Sequence, residues 1–212
     1  MGGRKGPRLS WRDGVVPVSA RFDDPYYSLD DGLAEARHVF LGGNSLPERF
    51  HDGFRVAELG FGTGLNLLAT AEAWKESGCP GRLAFMSFEL FPLPLTDARK
   101  AISQFPALLP LVEELAPLWS EGALDLSWLS ARLIQGDARE TLKVWRSEAD
   151  AWFLDGFSPA KNPELWGEAL IGEVARHTAP GGTFATYTAA GDVRRALSAA
   201  GFAVERVPGF GR

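Results

Sequence analysis

The sequence contains one cysteine, Cys79, and three histidines among its 212 residues. A single cysteine excludes an internal disulfide and any site built from a CxxC pair. The histidines, His38, His51 and His177, do not have the spacing of metal ligands, so we expect no metal site. No apolar run approaches the roughly 20 residues that cross a bilayer, and the N-terminus lacks the apolar core of a signal peptide. These absences favour a cytoplasmic protein that makes no membrane contact.

The sequence has no excess of basic residues, since 22 Lys and Arg face 27 Asp and Glu. The formal net charge is −5 and the isoelectric point is about 5.3, so the chain as a whole has no electrostatic preference for nucleic acid. The first twelve residues nevertheless include Arg4, Lys5, Arg8 and Arg12. Such a run is typical of a solvated terminus, and the alternative is an arm that touches phosphate.

Length and composition favour one large domain. A chain of this length with 45% hydrophobic residues can build one substantial core but not two. Residues 1–25 are rich in Pro, Asp and Arg without periodicity, which predicts an extended N-terminal arm with room for one short hairpin. We assign residues 26–212 to a single domain, and "YYSLDDGLAEARHVFLGG" predicts its first helix.

Strands then alternate with helices along the domain. "FRVAELGFGTGLNLLATAEAWKESG" passes from alternating apolar residues through a glycine turn to a helical period. "RLAFMSFELFP", "ARLIQGDARETLKVW" and "DAWFLDGF" begin further strands, and a helix is predicted at about 163–177. "GGTFATYTAAGDVRRALSAAGFAVERV" predicts strand, helix and strand, while residues 104–128 form an excursion. This alternation is typical of an α/β fold with a mostly parallel sheet covered on both faces.

The segment "ELGFGTGLN" places Gly60, Gly62 and Gly64 between a strand and a helix. Glycines permit positive φ and a close approach of ligand to backbone, and the helix N-terminus favours an anionic group. Leu65 stands where the dinucleotide motif GxGxxG has glycine, and no GK[ST] follows as in a Walker loop. Glu58 suits a cationic ligand better than a pyrophosphate, which favours S-adenosylmethionine. The alternative is a purely structural turn.

Further acids follow the other predicted strands. Glu89 is placed to accept from both ribose hydroxyls of a nucleotide. Asp137, with Ala138 beside it, lies where a carboxylate can accept from an adenine amino group. Either acid could instead cap a helix, and Asp137 with Glu140 matches a capping box. Asp155 ends the strand in "DAWFLDGF", so the acids meet at the carboxyl edge of the sheet, where ligands bind in such folds.

Several segments together resemble a known family. They are "ELGFGTGLN", "SFELFPL", "GDA", "DAWFLDGFSPAKNPELW" and "TYTAAGDVRRALSAAGF", with "PYYSLDDGLAEARHVFLGGNSLPERF" upstream. From about Trp11 onward the chain is similar to the methyltransferase domain of the bifunctional enzyme that finishes 5-methylaminomethyl-2-thiouridine at the tRNA wobble position. The resemblance implies a class I, Rossmann-like methyltransferase. It also implies methyl transfer from S-adenosylmethionine to the exocyclic amine of 5-aminomethyl-2-thiouridine.

The resemblance also bears on organisation and partners. No segment resembles the oxidoreductase domain of that enzyme, so we expect a stand-alone methyltransferase whose aminomethyl substrate comes from a separate enzyme. Family members continue past "GFGR" with a segment that supplies the last antiparallel strand, whereas this sequence stops at Arg212. We expect a monomer, because no heptad or apolar stripe argues for assembly.

Residue roles follow from the proposed acceptor. An alkylamine is mostly protonated at neutral pH, so the site must favour the neutral amine. We expect Asp155 to orient the amine first and to act as general base second. Tyr27 is expected to close over the cofactor and Asn66 to hold its methionine end. The residues expected to bind the tRNA substrate are Phe157, as a stacking surface, and Lys161, Asn162, Arg194 and Arg195.

Two other functions fit parts of the pattern. An aminopropyltransferase of the spermidine-synthase type shares the fold and a strand-end aspartate, and would have an acidic pocket without a basic surface. A catalytically inactive nucleotide-binding or tRNA-binding module would bind the cofactor without turnover. For the methyltransferase we predict a local basic patch and tRNA affinity that falls steeply with salt. The patch would contain Arg4, Lys5, Arg8, Lys161, Arg194 and Arg195.

Overall fold

The computed structural model describes residues 7–28 and 31–211. Arg4 and Lys5 of the predicted basic patch lie outside these residues. The strands are β1 Leu9–Arg12, β2 Val16–Ser19, β3 Asp24–Pro25, β4 Arg55–Leu59, β5 Leu83–Glu89, β6 Ala123–Asp125, β7 Leu129–Gln135, β8 Ala149–Leu154 and β9 Thr178–Ala185. The α-helices are α1 Gly32–Ala36, α2 Leu65–Ser77, α3 Leu95–Ile102, α4 Leu109–Leu115, α5 Pro117–Glu121, α6 Ala138–Val144, α7 Glu168–Arg176 and α8 Gly191–Ala199.

A six-stranded sheet with the order β6-β7-β5-β4-β8-β9 forms the centre of the molecule. All neighbouring strands are parallel except β6, which is antiparallel to β7. The strand order reverses beside β4, so the carboxyl ends of β4, β5 and β8 open a crevice between the connections on either side. The predicted α/β fold with a mostly parallel sheet is therefore confirmed.

Side chains alternate across the sheet and bury two apolar layers. Val56 and Phe153 face the layer that contains α2 and α4, whereas Ala57 and Trp152 face the layer of α6, α7 and α8. Both faces are covered because successive residues of a strand point in opposite directions. A single sheet with two helical layers thus holds the strand ends in place.

The N-terminal segment differs from a simple extended arm. Strands β1, β2 and β3 pair antiparallel in a small separate sheet, with Trp11 opposite Pro17 and Val18 opposite Pro25. This sheet is packed against the domain, because the backbone N–H of Ser158 donates to the Asp24 carboxylate at 2.9 Å. The hairpin allowed by the sequence is present, and it forms one wall of the crevice.

The chain beyond α8 also differs from the prediction. The strand predicted in "GFAVERV" is wrong, since residues 200–211 contain no strand in the described structure. The Phe202 ring packs on Phe184 of β9, and the Pro208 carbonyl lies 3.1 Å from Nε2 of His38. Aromatic packing and Pro208, which has no N–H to donate, take the place of strand pairing.

The excursion at residues 104–128 carries regular structure. A 3-10 helix at Pro106–Leu108, helices α4 and α5, and the edge strand β6 occupy it. The helix predicted at 163–177 corresponds to a 3-10 helix at Pro163–Trp166 followed by α7, and Arg37–Gly42 is a π-helix that continues α1. Among the helices that the structure describes, none is long and apolar enough to cross a membrane.

Candidate active site

A cavity of about 240 Å³ opens at the carboxyl ends of β4, β5 and β8. Its walls come from the glycine turn after β4, the loop after β8, the first helix and the small N-terminal sheet. The residues that line it are Asp24, Pro25, Tyr26, Tyr27, Ser28, Gly32, Glu35, Ala36, Phe40, Gly60, Phe61, Gly62, Thr63, Leu65, Asn66, Glu89, Asp155, Gly156, Phe157, Ser158 and Tyr187.

The glycine turn brings two strand ends into contact. Gly60 has a φ of +90°, and a Cβ on it would lie 2.5 Å from the backbone oxygen of Asp155. Gly62 also has positive φ and lies beside the Tyr26 ring. Gly64 has positive φ but packs against Trp119, outside the cavity lining. The first two glycines therefore form the floor of the cavity, and the third shapes the start of α2.

One amide connects two carboxylates at the centre of the site. Nδ2 of Asn66, in the first turn of α2, donates to Oδ2 of Asp155 at 2.8 Å and to Oε1 of Glu58 at 2.9 Å. The Ser87 hydroxyl donates to the other oxygen of Glu58 at 2.6 Å. The Gly156 N–H donates to Oδ1 of Asp155 at 2.9 Å. Glu58 is completely buried, whereas Asp155 borders the cavity.

Burial changes the acidity of both carboxyl groups. It raises the pKa of Asp155 to about 7, against the hydrogen bonds from Asn66 and Gly156, which lower it. It raises the pKa of Glu58 to about 8, against the hydrogen bonds from Ser87 and Asn66. A carboxylate whose pKa lies near neutrality is a far better proton acceptor than an ordinary one. The geometry thus fits Asp155 for general-base chemistry.

Glu89 faces the cavity at the end of β5. Its carboxylate accepts from the backbone N–H of Phe91 at 2.8 Å and of Gly62 at 3.2 Å, while burial raises its pKa. These bonds fix the side chain against the glycine turn. A carboxylate held there has lone pairs with which to accept from hydroxyl groups of a ligand.

Aromatic rings form the outer wall. The Phe157 ring stacks on Phe22 with ring centres 4.7 Å apart and meets the edge of Tyr26 at 5.0 Å. The Tyr187 hydroxyl donates to the Gly156 carbonyl at 2.8 Å. Burial raises the pKa of Tyr26 and of Tyr187, so both hydroxyls stay protonated. One face of Phe157 is therefore already covered by Phe22 within the protein.

Some predicted residues lie elsewhere. Asp137 caps α6, where its carboxylate accepts from the Arg139 backbone N–H and pairs with the Arg139 guanidinium, so neither it nor Ala138 lines the cavity. The alternative role of Asp137 as a helix cap is thus present, although Glu140 pairs with Lys143 rather than completing a capping box. The bond from Gly136 N–H to the Glu89 carbonyl still keeps the end of β7 beside that of β5.

The predicted tRNA-binding residues are separated as well. Lys161 pairs with Asp24 at 3.2 Å, on the loop of residues 155–162 that also contains Asn162. Arg194 and Arg195 are exposed on α8, in the layer opposite α2, and Arg195 pairs with Asp192. Of the predicted patch, the described residues Arg8, Lys161, Arg194 and Arg195 therefore lie on three separate segments of the chain.

Sequence reasoning missed several lining residues. Asp24, Glu35, Ser158 and Tyr187 reach the cavity from segments far apart in the chain. Asp24 immediately precedes the segment "PYYS", and Tyr187 lies within "TYTAAG". These motifs therefore include or border the two residues, but they do not show which side chains face the cavity. Among the described residues, no group of three or more His, Cys, Asp or Glu could hold a metal ion.

Comparison with known proteins shows which enzymes this chain resembles. A family model described as S-adenosyl-L-methionine-dependent methyltransferase matches residues 115–212. Residues 115–212, a little under half of the chain, are therefore similar to this methyltransferase family. The resemblance found in the sequence is confirmed, and the Rossmann-like class I assignment with it.

Curated relatives extend the similarity across nearly the whole of this chain. A "tRNA 5-methylaminomethyl-2-thiouridine biosynthesis bifunctional protein MnmC" from Aeromonas hydrophila is 48% identical over 224 residues, covering 96% of this chain and 34% of the relative. The protein of the same name from Leptospira borgpetersenii is 42% identical over 216 residues, covering 96% and 33%. The chain thus spans about a third of the length of these relatives.

A solved structure shares the fold. The crystal structure of MNMC2 from Aquifex aeolicus superimposes with a TM-score of 0.77 at 26% identity, covering all of this chain and 69% of the other. The methyltransferase uses S-adenosylmethionine as cofactor. The cavity suits that group, because Gly60 and Gly62 leave room for close approach and the lining acids Glu89 and Asp155 favour positive charge.

Proposed function

We propose that this methyltransferase acts on the exocyclic amine of 5-aminomethyl-2-thiouridine at the wobble position of tRNA, giving 5-methylaminomethyl-2-thiouridine. The proposal is carried by the 42% and 48% identity, along 96% of the chain, to proteins named for biosynthesis of that nucleoside. The half-open cavity with Asp155 at its base supports it, since an amine acceptor needs a proton acceptor within reach.

Asp155 is the proposed catalytic residue. The acceptor amine is mostly protonated in water, as lysine is with a pKa of about 10.4, and an ammonium has no lone pair to donate. Asp155 attracts the ammonium, receives one of its protons and orients the nitrogen lone pair toward the reacting methyl group. Its second oxygen is fixed by the Gly156 N–H, so the carboxylate cannot rotate away. When bound, S-adenosylmethionine supplies an electrophilic methyl group on a sulfonium.

The cofactor would be held by the floor and the strand ends. Gly60, Gly62 and Gly64 with the start of α2 favour its carboxylate, and Asn66 fixes the acids beside its methionine end. The residues proposed to contact it are those of the predicted set that line the cavity: Tyr27, Gly60, Gly62, Asn66, Glu89 and Asp155. Glu58, Gly64, Asp137 and Ala138 do not line the cavity, so no direct contact with the cofactor is proposed for them.

The tRNA is proposed to approach over the loop of residues 155–162. Phe157 borders the cavity and is the proposed stacking surface, while Lys161 and Asn162 lie on the same loop. Arg194 and Arg195 remain candidates for more distant backbone contacts. We further propose that the protein is cytoplasmic and monomeric, and that a separate enzyme prepares the aminomethyl group.

A second function receives support from one observation. The cavity lining includes the carboxylates of Asp24, Glu35, Glu89 and Asp155, and no lysine or arginine appears among its described residues. An acidic lining is the property expected of an aminopropyltransferase with a polyamine substrate. Polyamines are therefore the competing acceptors that an assay must include.

The deciding assay measures transfer of labelled methyl groups to tRNA that carries 5-aminomethyl-2-thiouridine, with spermidine-type amines as alternative acceptors. Label in the wobble nucleoside supports the proposal. We expect Asp155→Asn to lower kcat by roughly 10²- to 10⁴-fold with cofactor binding retained. Asp125→Asn, an exposed acid on β6, is the matched control. Label in polyamines alone would replace the tRNA substrate by a small amine.

A further inference from the structure

The mouth of the cavity carries charge of the opposite sign to its interior. Carboxylates line the interior, whereas the turn of residues 20–23, which joins β2 to β3, carries Arg21 and contacts Arg8 and Lys161. Two of these, Arg8 and Arg21, are exposed and form no ion pair within the described residues. We call this pair the cationic rim.

Arg21 lies between two aromatic rings that neighbour the cavity lining. The centre of its guanidinium lies 4.9 Å from the Phe91 ring centre and 5.4 Å from that of Phe22. Phe91 follows β5, where its N–H binds Glu89, and Phe22 stacks on Phe157 in the loop after β8. These cation–π contacts keep the guanidinium near the residues that flank the cavity, and its N–H groups donate to no described residue.

Arg8 lies at the same end of the small sheet. Its carbonyl accepts from the backbone N–H of Ala20 at 2.9 Å, so its Cα is tied to the turn that bears Arg21. Lys161 reaches the turn from the other side, but its ammonium is engaged by the Asp23 carbonyl and the Asp24 carboxylate. The free positive charge of the mouth is therefore that of the two arginines.

We propose that the cationic rim binds the backbone phosphates of the tRNA strand that flank the modified nucleotide. The inference rests on the proposed function: the amine of that nucleotide enters the acidic cavity, so its sugar and phosphates stay at the entrance. Guanidinium groups match phosphate oxygens in geometry as well as charge. A protein with a net charge of −5 cannot bind RNA through its overall field, so binding depends on local cations.

Substitution of Asp23 tests the proposal in the opposite direction, because Asp23 is negatively charged. It is exposed on the same turn, and its carboxylate repels any phosphate that the rim attracts. Its φ of +49° lies in the left-handed region, which asparagine adopts readily, so Asp23→Asn removes the charge without new backbone strain. We expect this change to strengthen tRNA binding.

The experiment compares two acceptors: tRNA with 5-aminomethyl-2-thiouridine, and the free nucleoside, which has no phosphate. Arg8→Ala and Arg21→Ala should each raise the KM for tRNA roughly fourfold at 0.15 M salt and lower the salt dependence of binding by about one phosphate contact. The nucleoside reaction should be unchanged. The KM of Arg21→Lys for tRNA should lie between those of the unaltered protein and Arg21→Ala. Asp23→Asn should lower the KM for tRNA.

Arg146→Ala, an exposed arginine after α6, is the matched control and should leave both reactions unchanged. The proposal would be overturned if the substitutions changed the KM for tRNA and for the nucleoside equally. It would also be overturned if the double variant Arg8→Ala, Arg21→Ala changed neither KM. If the unaltered protein methylates neither acceptor, the proposed function fails instead. Direct binding of the anticodon stem-loop, with and without the two substitutions, then still decides whether the rim holds phosphate.

Discussion

Asn66 donates hydrogen bonds to two acids from a single nitrogen. Its Nδ2 directs one hydrogen to Asp155 and the other to Glu58, so neither carboxylate can move without disturbing the amide. Hydrogen bonds to a carboxylate favour its charged form, whereas burial disfavours it. At this site burial dominates for both acids, and the amide limits how far each pKa rises.

The pH dependence of the reaction follows from this residue. Asp155 must be deprotonated to accept a proton, so kcat/KM should rise with pH through its pKa of about 7. Asn66→Ala removes a hydrogen bond that lowers this pKa, and the inflection should move to higher pH. The measurement is a pH profile of kcat/KM. Ser87→Ala, which removes a bond to Glu58 alone, is the control, and an equal shift there would contradict the assignment.

The glycine turn is the element on which the site depends. Gly60→Ala places a methyl group 2.5 Å from the Asp155 backbone oxygen, in addition to the cost of positive φ. Gly53→Ala is a matched control, because Gly53 has a φ of +76° and open space around it. The control should lose about 1–2 kcal/mol of unfolding free energy from φ alone, and Gly60→Ala should lose clearly more. Urea denaturation measures both; equal losses would mean that the turn relaxes freely.

The elements also show how far sequence reasoning reaches. Asp155 is predictable because an apolar run ends in an acid before a glycine, and parallel strands bring such ends together. Asp137 fits a ligand role and a cap equally well in sequence, and its environment depends on Arg139, whose rotamer no local pattern determines. Asp24 and Tyr187 reach the cavity through packing between distant segments, so no periodicity identifies them.

For the molecule as a whole, Glu58 makes stability depend on pH. Its folded pKa of about 8 lies above its ordinary value of 4.5, so the folded state holds a proton that the unfolded state has released. The contribution of Glu58 to the free energy of unfolding is therefore fully present below about pH 4.5 and is lost as the pH rises toward 8. Glu58→Gln should remove this loss, with a higher melting temperature than the unaltered protein at pH 8.5 and a smaller difference at pH 5.

Thermal unfolding of the cofactor-free protein at both pH values measures this difference. Glutamine can preserve the local contacts, because its carbonyl accepts from Asn66 and its amide donates to the Ser87 hydroxyl. Glu140→Gln on the exposed side of α6 is the matched control. If Glu58→Gln lowered the melting temperature equally at both pH values, the carboxyl group would be needed for packing. The pH dependence would then not come from ionisation of Glu58.

The two borders of the central sheet bear on how the protein behaves when crowded. A long, bare border strand is a template on which copies can aggregate, and natural proteins suppress it by shortening, charging or covering that strand. Here β6 is three residues long and carries Asp125, while β9 contains Pro180 and has the Phe202 ring packed on its Phe184. One border is therefore short and charged and the other is interrupted by a proline, which disfavours amyloid-like growth from the folded state.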